Sequence, residues 1–131
     1  MVIIDTTVWI DYLRGGVAKE TSWFERELTS QRFGLTDLIL CEVLQGVADE
    51  SVARQVQRHL SLFQIYDTGG EDLAVATARN FRVLRRRGRT VRKTIDGVIA
   101  TFCLRQGFSL LHRDRDYDHF ETVLGLSVIH A

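Results

Sequence analysis

Five acidic residues of this sequence are of the type, and in the positions, that could bind a divalent cation. Three come after apolar runs, one lies in the first turn of a predicted helix, and one lies inside an apolar segment. In sequence order they are Asp5, Glu42, Asp96, Asp114 and Asp116. Hard cations such as Mg²⁺ prefer oxygen ligands and are often shared between protein carboxylates and substrate phosphates. If folding gathers these acids, we expect a site for Mg²⁺, or Mn²⁺ in its place, that polarises a phosphate and lowers the pKa of a water.

Glu42 is the acid whose surroundings most favour a metal. Its helical neighbours are Leu38, Ile39, Gln45 and Gly46, so the segment is expected to be a buried helix with a single carboxylate. Burying a carboxylate without a partner is costly. Because no lysine or arginine lies within a helical turn, the partner must be a metal or a group from elsewhere in the fold.

The other acids also have ordinary structural interpretations. Asp5 could cap the helix that follows it, and Asp96 could complement a helix dipole. Asp114 and Asp116 could be solvated loop charges, which is the interpretation we favour for Asp118. No single acid is decisive, and the hypothesis depends on their convergence.

A basic segment precedes Asp96. Between Leu73 and Ile95 there is no acidic residue, and there are eight basic ones. They are Arg79, Arg82, Arg85, Arg86, Arg87, Arg89, Arg92 and Lys93. A charge run of this kind can be no more than a solvated surface. The dominance of arginine favours phosphate recognition, because guanidinium binds phosphate through two parallel hydrogen bonds. We expect the last seven, from Arg82 to Lys93, to bind a polyanionic backbone beside the acids, with little base stacking because aromatic residues are scarce there.

Alternating strands and helices are predicted to position these groups. Strands are predicted at residues 1–4, 33–35, 62–66, 109–112 and 127–130. Helices are predicted at residues 8–13, 18–30, 36–44, 50–61, 67–88 and 94–106. In the long helix, Ala74, Ala78, Phe81 and Leu84 form the expected apolar stripe. Strands separated by helices indicate an α/β fold with a mainly parallel sheet, in which ligands bind beyond the carboxyl ends of the strands.

Length and composition limit the alternatives. A chain of 131 residues is expected to form one domain, residues 1–131, with one site. Seventeen basic residues balance seventeen acidic ones, which excludes a simple polycation that coats nucleic acid. No apolar run approaches the roughly 20 residues of a membrane span, and no signal segment is evident, so we expect a cytoplasmic protein without a membrane partner.

The two cysteines and four histidines do not suggest a zinc site. Cys41 and Cys103 lie in apolar helical stretches without CxxC spacing, which predicts reduced thiols in the core. The histidines are scattered, and only His119, beside Asp116 and Asp118, lies near a candidate site.

Four parts of the sequence together resemble a known family. They are residues 2–9 around Asp5, Glu42 in its helix, residues 96–100 beginning with Asp96, and residues 111–117 around Asp114. In this order and spacing, over essentially the whole chain, they are similar to PIN domains, and most to the VapC toxins of toxin-antitoxin pairs. The chain departs from the commoner pattern in carrying Tyr117 where Phe is frequent, which affects packing beside the acids rather than the acids themselves.

The resemblance implies a three-layer α/β/α sandwich with a mainly parallel sheet of about five strands, usually a homodimer. By position, Asp5, Glu42, Asp96 and Asp114 match the family's acidic quartet, and Asp116 matches an auxiliary acid. Thr7 matches a hydroxyl residue that supports the site. The implied activity is Mg²⁺-dependent endoribonuclease cleavage of structured RNA, of the tRNA or rRNA class, inhibiting translation until a small cognate antitoxin neutralises the enzyme.

Two other functions are compatible with the same residues. The chain could be a non-catalytic RNA-binding or partner-binding module, in which the acids only cap helices and form ion pairs. It could also be a PIN nuclease of RNA maturation or decay without an antitoxin. For a homodimer, Trp9, Trp23 and Phe24 are expected to contribute to the contact surface.

Overall fold

Four parallel strands form the single sheet of the structure, a computed structural model that describes residues 1–131. The strands are β1 (Val2–Ile4), β2 (Phe33–Thr36), β3 (Gln64–Tyr66) and β4 (Ser109–Leu111). Their spatial order is β3-β2-β1-β4, with Ile3 paired to Gly34 on one side and to Leu110 on the other. The chain therefore starts at the centre of the sheet and adds strands on both sides.

The fifth predicted strand is reduced to a single bridge. Val128 pairs in parallel with Leu110, whose N–H donates to the Ser127 carbonyl and whose carbonyl accepts from the Ile129 N–H. The rest of the segment makes no ladder. The sheet thus has four strands and one added bridge, in agreement with the expected parallel α/β class.

Seven helices connect and cover the strands. They are α1 (Thr6–Leu13), α2 (Lys19–Arg26), α3 (Asp37–Gln45), α4 (Glu50–Leu60), α5 (Glu71–Arg86), α6 (Thr94–Gln106) and α7 (Asp118–Leu124), with a 3-10 turn at Arg115–Tyr117. Helix α1 packs against α2 and α3, and α3 against α4, while α5 packs against α6 and α7. Every residue of β1 and β2 is buried, as expected when helices cover both faces of a parallel sheet. The three-layer α/β/α prediction is confirmed. None of the seven helices combines the length and the apolar composition that a membrane span requires.

Helix α6 is enclosed on most sides and carries Asp96 in its first turn. The next residue, Gly97, is also buried and has no room for a side chain, because a Cβ there would collide with the Phe81 ring of α5. This close approach lets α5 and α6 pack tightly behind the site. The helix ends at Gly107, which adopts the left-handed conformation with φ 70°.

The predicted apolar stripe of α5 is confirmed at two of its four positions. Leu84 is buried and Phe81 half-buried, but Ala74 and Ala78 are exposed, and Leu73 and Thr77 are buried in their place. The polar Thr77 is tolerated there because its hydroxyl donates to the Leu73 carbonyl over 2.8 Å. The sequence pattern placed alanines in the core, but the helix turns its larger residues inward.

Helix α3 is less buried than predicted. Only Ile39 and Val43 are fully buried, because neighbouring elements cover one face of the helix. The prediction that Cys41 is a core thiol is wrong, since its side chain is exposed. Cys103 is in the core, as predicted, and burial raises the pKa of its thiol to about 12.

Two of the three aromatic residues expected at a dimer surface are interior. Trp9 and Phe24 are fully buried and meet edge to face with ring centroids 5.4 Å apart, so neither is available for a contact between subunits. Trp23 is partly exposed and packs against Phe33. The apolar side chains of Trp9 and Phe24 suggested an interface, but both belong to the core.

Candidate acidic metal site

Asp5 and Asp114 lie beyond the ends of the two adjacent strands β1 and β4. Asp5 directly follows β1, and its backbone N–H donates to the carbonyl of Leu111, the last residue of β4, over 3.0 Å. Asp114 lies three residues beyond that strand end. Because the strands are parallel, both acids lie at the carboxyl edge of the sheet, as predicted.

The Asp5 carboxylate is buried and held by three hydrogen bonds. Its Oδ2 atom accepts from the Thr7 hydroxyl at 2.7 Å and from the Thr7 N–H at 3.2 Å. Its Oδ1 atom accepts from the Tyr117 hydroxyl at 2.8 Å. Asp5 therefore caps α1, which was one of its two interpretations, while its other oxygen and an oxygen of Asp96 contact the same Tyr117 hydroxyl.

Asp96 carries a buried oxygen atom without any hydrogen-bond partner. The residue is 5% exposed, its Oδ2 atom is unpaired, and its Oδ1 atom lies 3.4 Å from the Tyr117 hydroxyl. Burial, reinforced by the negative charges of Asp5 and Asp114, raises the pKa of the Asp96 carboxyl to about 7, although Lys93 opposes the shift. A carboxylate in these surroundings requires either a proton or a cation.

Asp114 and Asp116 complete the cluster. Carboxylate oxygens of Asp96, Asp114 and Asp116 all lie within 4.8 Å of one another. Asp114 also accepts from the Asp116 N–H at 2.9 Å, and its Oδ2 lies 4.0 Å from the Lys93 ammonium. These two acids are only partly exposed, so the interpretation as freely solvated loop charges does not apply to them.

Glu42 reaches the same end of the molecule from α3. It is half-buried rather than fully buried, because α3 is covered on one face only. The Thr6 hydroxyl donates to its Oε1 atom over 2.8 Å, and no lysine or arginine pairs with it. Its charge contributes to the raised pKa of Asp96, so the two carboxylates lie within electrostatic reach. Together with the four aspartates it forms what we call the acidic pocket: Asp5, Glu42, Asp96, Asp114 and Asp116.

The donor set of the acidic pocket fits a hard divalent cation. The pocket offers carboxylate oxygens. The nearby His112 accepts from the Asp114 N–H through Nδ1, so the neutral ring carries its hydrogen on Nε2 and has no nitrogen lone pair left for a metal. Burial lowers the pKa of His112, which favours the neutral ring. Oxygen ligands without thiolate or free imidazole suit Mg²⁺ or Mn²⁺ better than Zn²⁺. The unpaired oxygen of Asp96 is the atom that such an ion would satisfy.

A basic groove adjoins the acidic pocket. It has a volume of about 530 Å³ and is lined by Gly88, Arg89, Thr90, Arg92, Arg115, Asp116, Asp118 and His119. Of the seven predicted RNA-binding residues, two line this groove, and Lys93 lies beside Asp114. The other four, Arg82, Arg85, Arg86 and Arg87, are exposed but lie outside the groove.

Sequence reasoning missed several groups at this end of the molecule. Arg115 lines the basic groove, although it lies between the late acids Asp114 and Asp116 rather than in the basic segment. His119, the one histidine expected near a candidate site, lines the groove as well. Tyr117 is fully buried, and its hydroxyl contacts both Asp5 and Asp96. The signal available in the sequence was their position beside Asp114 and Asp116, which the 3-10 turn folds back onto the pocket.

The fold and the site define a class of small α/β proteins with an acidic pocket at the carboxyl edge of a parallel sheet. Within that class the chain belongs to the PIN domain family, whose model matches residues 2–123. It is 28% identical over 128 residues to the ribonuclease VapC11 of Mycobacterium tuberculosis, covering 96% of both chains. The fold is similar to VapBC2 of Rickettsia felis bound to a promoter DNA fragment, with TM-score 0.78, 13% identity and 98% of each chain covered. It is also similar to a toxin-antitoxin complex from Klebsiella pneumoniae, with TM-score 0.73, 18% identity and 99% and 97% coverage.

Proposed function

We propose that this protein is a Mg²⁺-dependent endoribonuclease and the toxin of a toxin-antitoxin pair. The observation that carries the proposal is the buried, unpaired oxygen of Asp96 beside Asp5, Asp114 and Asp116. Such a pocket is electrostatically unfavourable until a cation or protons enter it. A relative named as a ribonuclease, aligned over nearly the whole chain, supports RNA as the substrate.

The five acids of the pocket would hold the ion. Asp96, Asp114 and Asp116 offer oxygens that lie within 4.8 Å of one another, and Asp5 and Glu42 would complete the set. When bound, the ion supplies Lewis-acid polarisation of the scissile phosphate and lowers the pKa of a water. Mn²⁺ would substitute for Mg²⁺, because both take oxygen ligands.

The neighbouring hydroxyl groups keep the acids oriented. Thr7 and Tyr117 hold the two oxygens of Asp5, and Thr6 holds one oxygen of Glu42. These bonds fix the acceptor atoms before an ion arrives, so less ordering is required on binding.

The basic groove would hold the RNA backbone. Arg89, Arg92 and Arg115 line one groove with Asp116, which brings cationic groups next to the acidic pocket. Lys93 lies near Asp114 and would offset part of the repulsion between the acids and a phosphate. No Phe, Tyr or Trp side chain lines this groove, so we expect it to bind RNA mainly through phosphates and shape, which suits structured RNA of the tRNA or rRNA class.

The proposed partner is a small antitoxin, with the enzyme acting as a homodimer. A fold neighbour from Klebsiella pneumoniae is described as a toxin-antitoxin complex, which supports the antitoxin partner. The acidic pocket would attract a basic side chain of such a partner, and that contact would occupy the place of the ion.

Cleavage by charge-removing variants tests the proposal. Asp5→Asn and Asp96→Asn keep side-chain size but remove ligand charge, so both should abolish cleavage of tRNA and rRNA in Mg²⁺ while RNA binding survives. Asp72→Asn, at an exposed position of α5, is the matched control and should cut like the wild type. Retained cutting by both pocket variants, with their folds intact by circular dichroism, would refute the assignment.

A non-catalytic RNA-binding or partner-binding module is the second candidate. The observation that favours it is that Asp5 and Asp114 each cap a helical turn, a role that needs no ion. Calorimetric titration with Mn²⁺ separates the two functions, since the binding module should take up no ion at a specific site. If cleavage is found, an upstream reading frame for a small DNA-binding protein would distinguish a toxin from a nuclease of RNA maturation or decay.

A further inference from the structure

The Tyr117 hydroxyl lies between two acids of the pocket. Its oxygen is 2.8 Å from Asp5 Oδ1 and 3.4 Å from Asp96 Oδ1, and the residue is fully buried. A phenol has one hydrogen to donate. The shorter distance assigns that hydrogen to Asp5, while Asp96 keeps its Oδ2 atom unpaired.

Hydrogen bonds leave little of the Asp5 carboxylate open. A carboxylate has about four lone-pair positions. Two on Oδ2 are used by the N–H and hydroxyl of Thr7, and one on Oδ1 is used by Tyr117. One lone pair on Oδ1 therefore remains for a cation.

The two tethers also fix the plane of the carboxylate. Thr7 holds one oxygen from the start of α1, and Tyr117 holds the other from the 3-10 turn at the far end of the chain. With both oxygens held, the group cannot turn to present the pair of them to one ion. Without the Tyr117 hydroxyl, both lone pairs of Oδ1 would be open, and only Thr7, whose N–H bond to Oδ2 is long at 3.2 Å, would oppose a rotation that turns both oxygens toward one ion.

We infer that Tyr117 is a positioning residue that sets the cation preference of the acidic pocket by restricting Asp5 to a single open lone pair. Mg²⁺ demands near-ideal octahedral geometry at short distances and Mn²⁺ also takes six-coordinate oxygen sites, whereas the larger Ca²⁺ takes six to eight oxygens and often both of one carboxylate. A fixed, singly available oxygen thus disfavours Ca²⁺. The inference rests on the proposed cation site and deepens it.

Removing the hydroxyl alone tests this role. Tyr117→Phe keeps the ring, which packs beside the His112 ring at a centroid distance of 4.9 Å. In isothermal titration without RNA, we expect the wild type to bind Mn²⁺ more tightly than Ca²⁺. In the variant, the ratio of the Ca²⁺ to the Mn²⁺ dissociation constant should fall about tenfold, the scale on which groups behind a ligand act.

The ratio separates positioning from a general effect. Loss of stability, or a changed charge, would weaken or strengthen both ions by a similar factor and leave the ratio unchanged. Tyr66→Phe is the matched control, because Tyr66 lies on β3 among Phe102 and Phe108, and it should behave as the wild type. If Tyr117→Phe does not fold, Tyr117→Met removes the same hydroxyl with a flexible apolar side chain and should lower the ratio in the same way.

The possible failures are distinguishable. If the wild type takes up no Mn²⁺, the proposed function itself falls. If the wild type binds Mn²⁺ but a folded variant without the hydroxyl keeps the wild-type ratio, the cation site stands and the role of Tyr117 is overturned.

Discussion

The backbone N–H of Arg113 donates a hydrogen bond to the Thr7 hydroxyl oxygen over 3.1 Å, across 106 positions of sequence. The hydrogen of the same hydroxyl is donated to Asp5 Oδ2 at 2.7 Å. One side chain thus connects the loop after β1, which carries Asp5, with the loop after β4, which carries Asp114. The relative position of these two acids depends on Thr7.

Replacing Thr7 should therefore weaken ion binding without changing any acid. Thr7→Val keeps the shape but loses both hydrogen bonds of the hydroxyl, so Asp5 loses a tether and the Arg113 N–H loses its acceptor. We expect Mn²⁺ affinity to fall about 10- to 100-fold, as for other groups that support metal ligands. Isothermal titration measures the change.

Two variants control this experiment. Thr7→Ser retains the hydroxyl and should recover most of the affinity. Thr29→Val, at an exposed position after α2, should have no effect. A folded Thr7→Val protein with wild-type Mn²⁺ affinity would show that the hydroxyl does not position the site.

The raised pKa of Asp96 predicts a pH-dependent stability. Its carboxyl has a pKa of about 7 in the folded protein, and an aspartate in the unfolded chain has one of about 3.9. Between these values the folded state binds more protons, so the Asp96 contribution to stability is present at low pH and is lost as the pH rises through about 7. Without metal, Asp96→Asn should gain stability relative to the wild type, by about 1–3 kcal/mol at pH 8 and much less at pH 4.5.

Urea denaturation in a chelator at several pH values measures this difference. His112 has a lowered pKa, chiefly because it is buried, and it destabilises the fold below about pH 6.5. That effect is shared by both proteins and cancels in the comparison. Mn²⁺ should stabilise the wild type at pH 8 but not the variant. A difference that stays flat from pH 4.5 to pH 8 would contradict the perturbed state of Asp96.

The sequence predicts the parallel sheet and the edge at which the acids meet. Asp5 and Asp114 could be located because each follows an apolar run, and parallel strands end at the same edge. Contacts between side chains could not be predicted. An example is the hydrogen bond from Tyr117 to Asp5, two residues that are 112 positions apart. Such contacts depend on how a turn folds back in three dimensions, and sequence periodicity carries no information about that.

The errors have a common physical origin. The predicted core positions Cys41 and Ala78 are apolar residues at helical spacing, yet both are exposed. Periodicity indicates which residues share a helix face but not which face the rest of the fold covers. Helix α7 was not predicted, because its apolar face is short and the helix directly follows a run of charged residues.

The contact between Gly97 and Phe81 predicts a steric effect on the site. Gly97→Ala would place a methyl group against the Phe81 ring and force α5 and α6 apart next to Asp96. Overpacking of this kind costs about 1–3 kcal/mol, so thermal denaturation should show a lower Tm and cleavage should weaken. The change acts through helix position, because neither residue is a ligand.

A compensating change distinguishes overpacking from a helix effect. Phe81→Leu shortens the opposing side chain, and in the double variant with Gly97→Ala part of the lost stability should return. If the loss of stability in the double variant equals the sum of the losses in the two single variants, the clash with Phe81 is not the cause.

The basic groove predicts a change in the salt dependence of RNA binding. Arg89 and Arg92 line the groove beside Asp116, and each phosphate contact contributes about 0.7 to the slope of log affinity against log salt for single strands and about 0.9 for duplexes. The double variant Arg89→Gln with Arg92→Gln should therefore lower the slope by about 1.4 to 1.8. Fluorescence anisotropy of labelled RNA over a salt series measures this slope.

Replacing Arg54 and Arg58, both exposed on α4, removes the same charge elsewhere and should leave the slope unchanged. Equal losses in both double variants would mean that net charge, rather than the groove, holds the RNA.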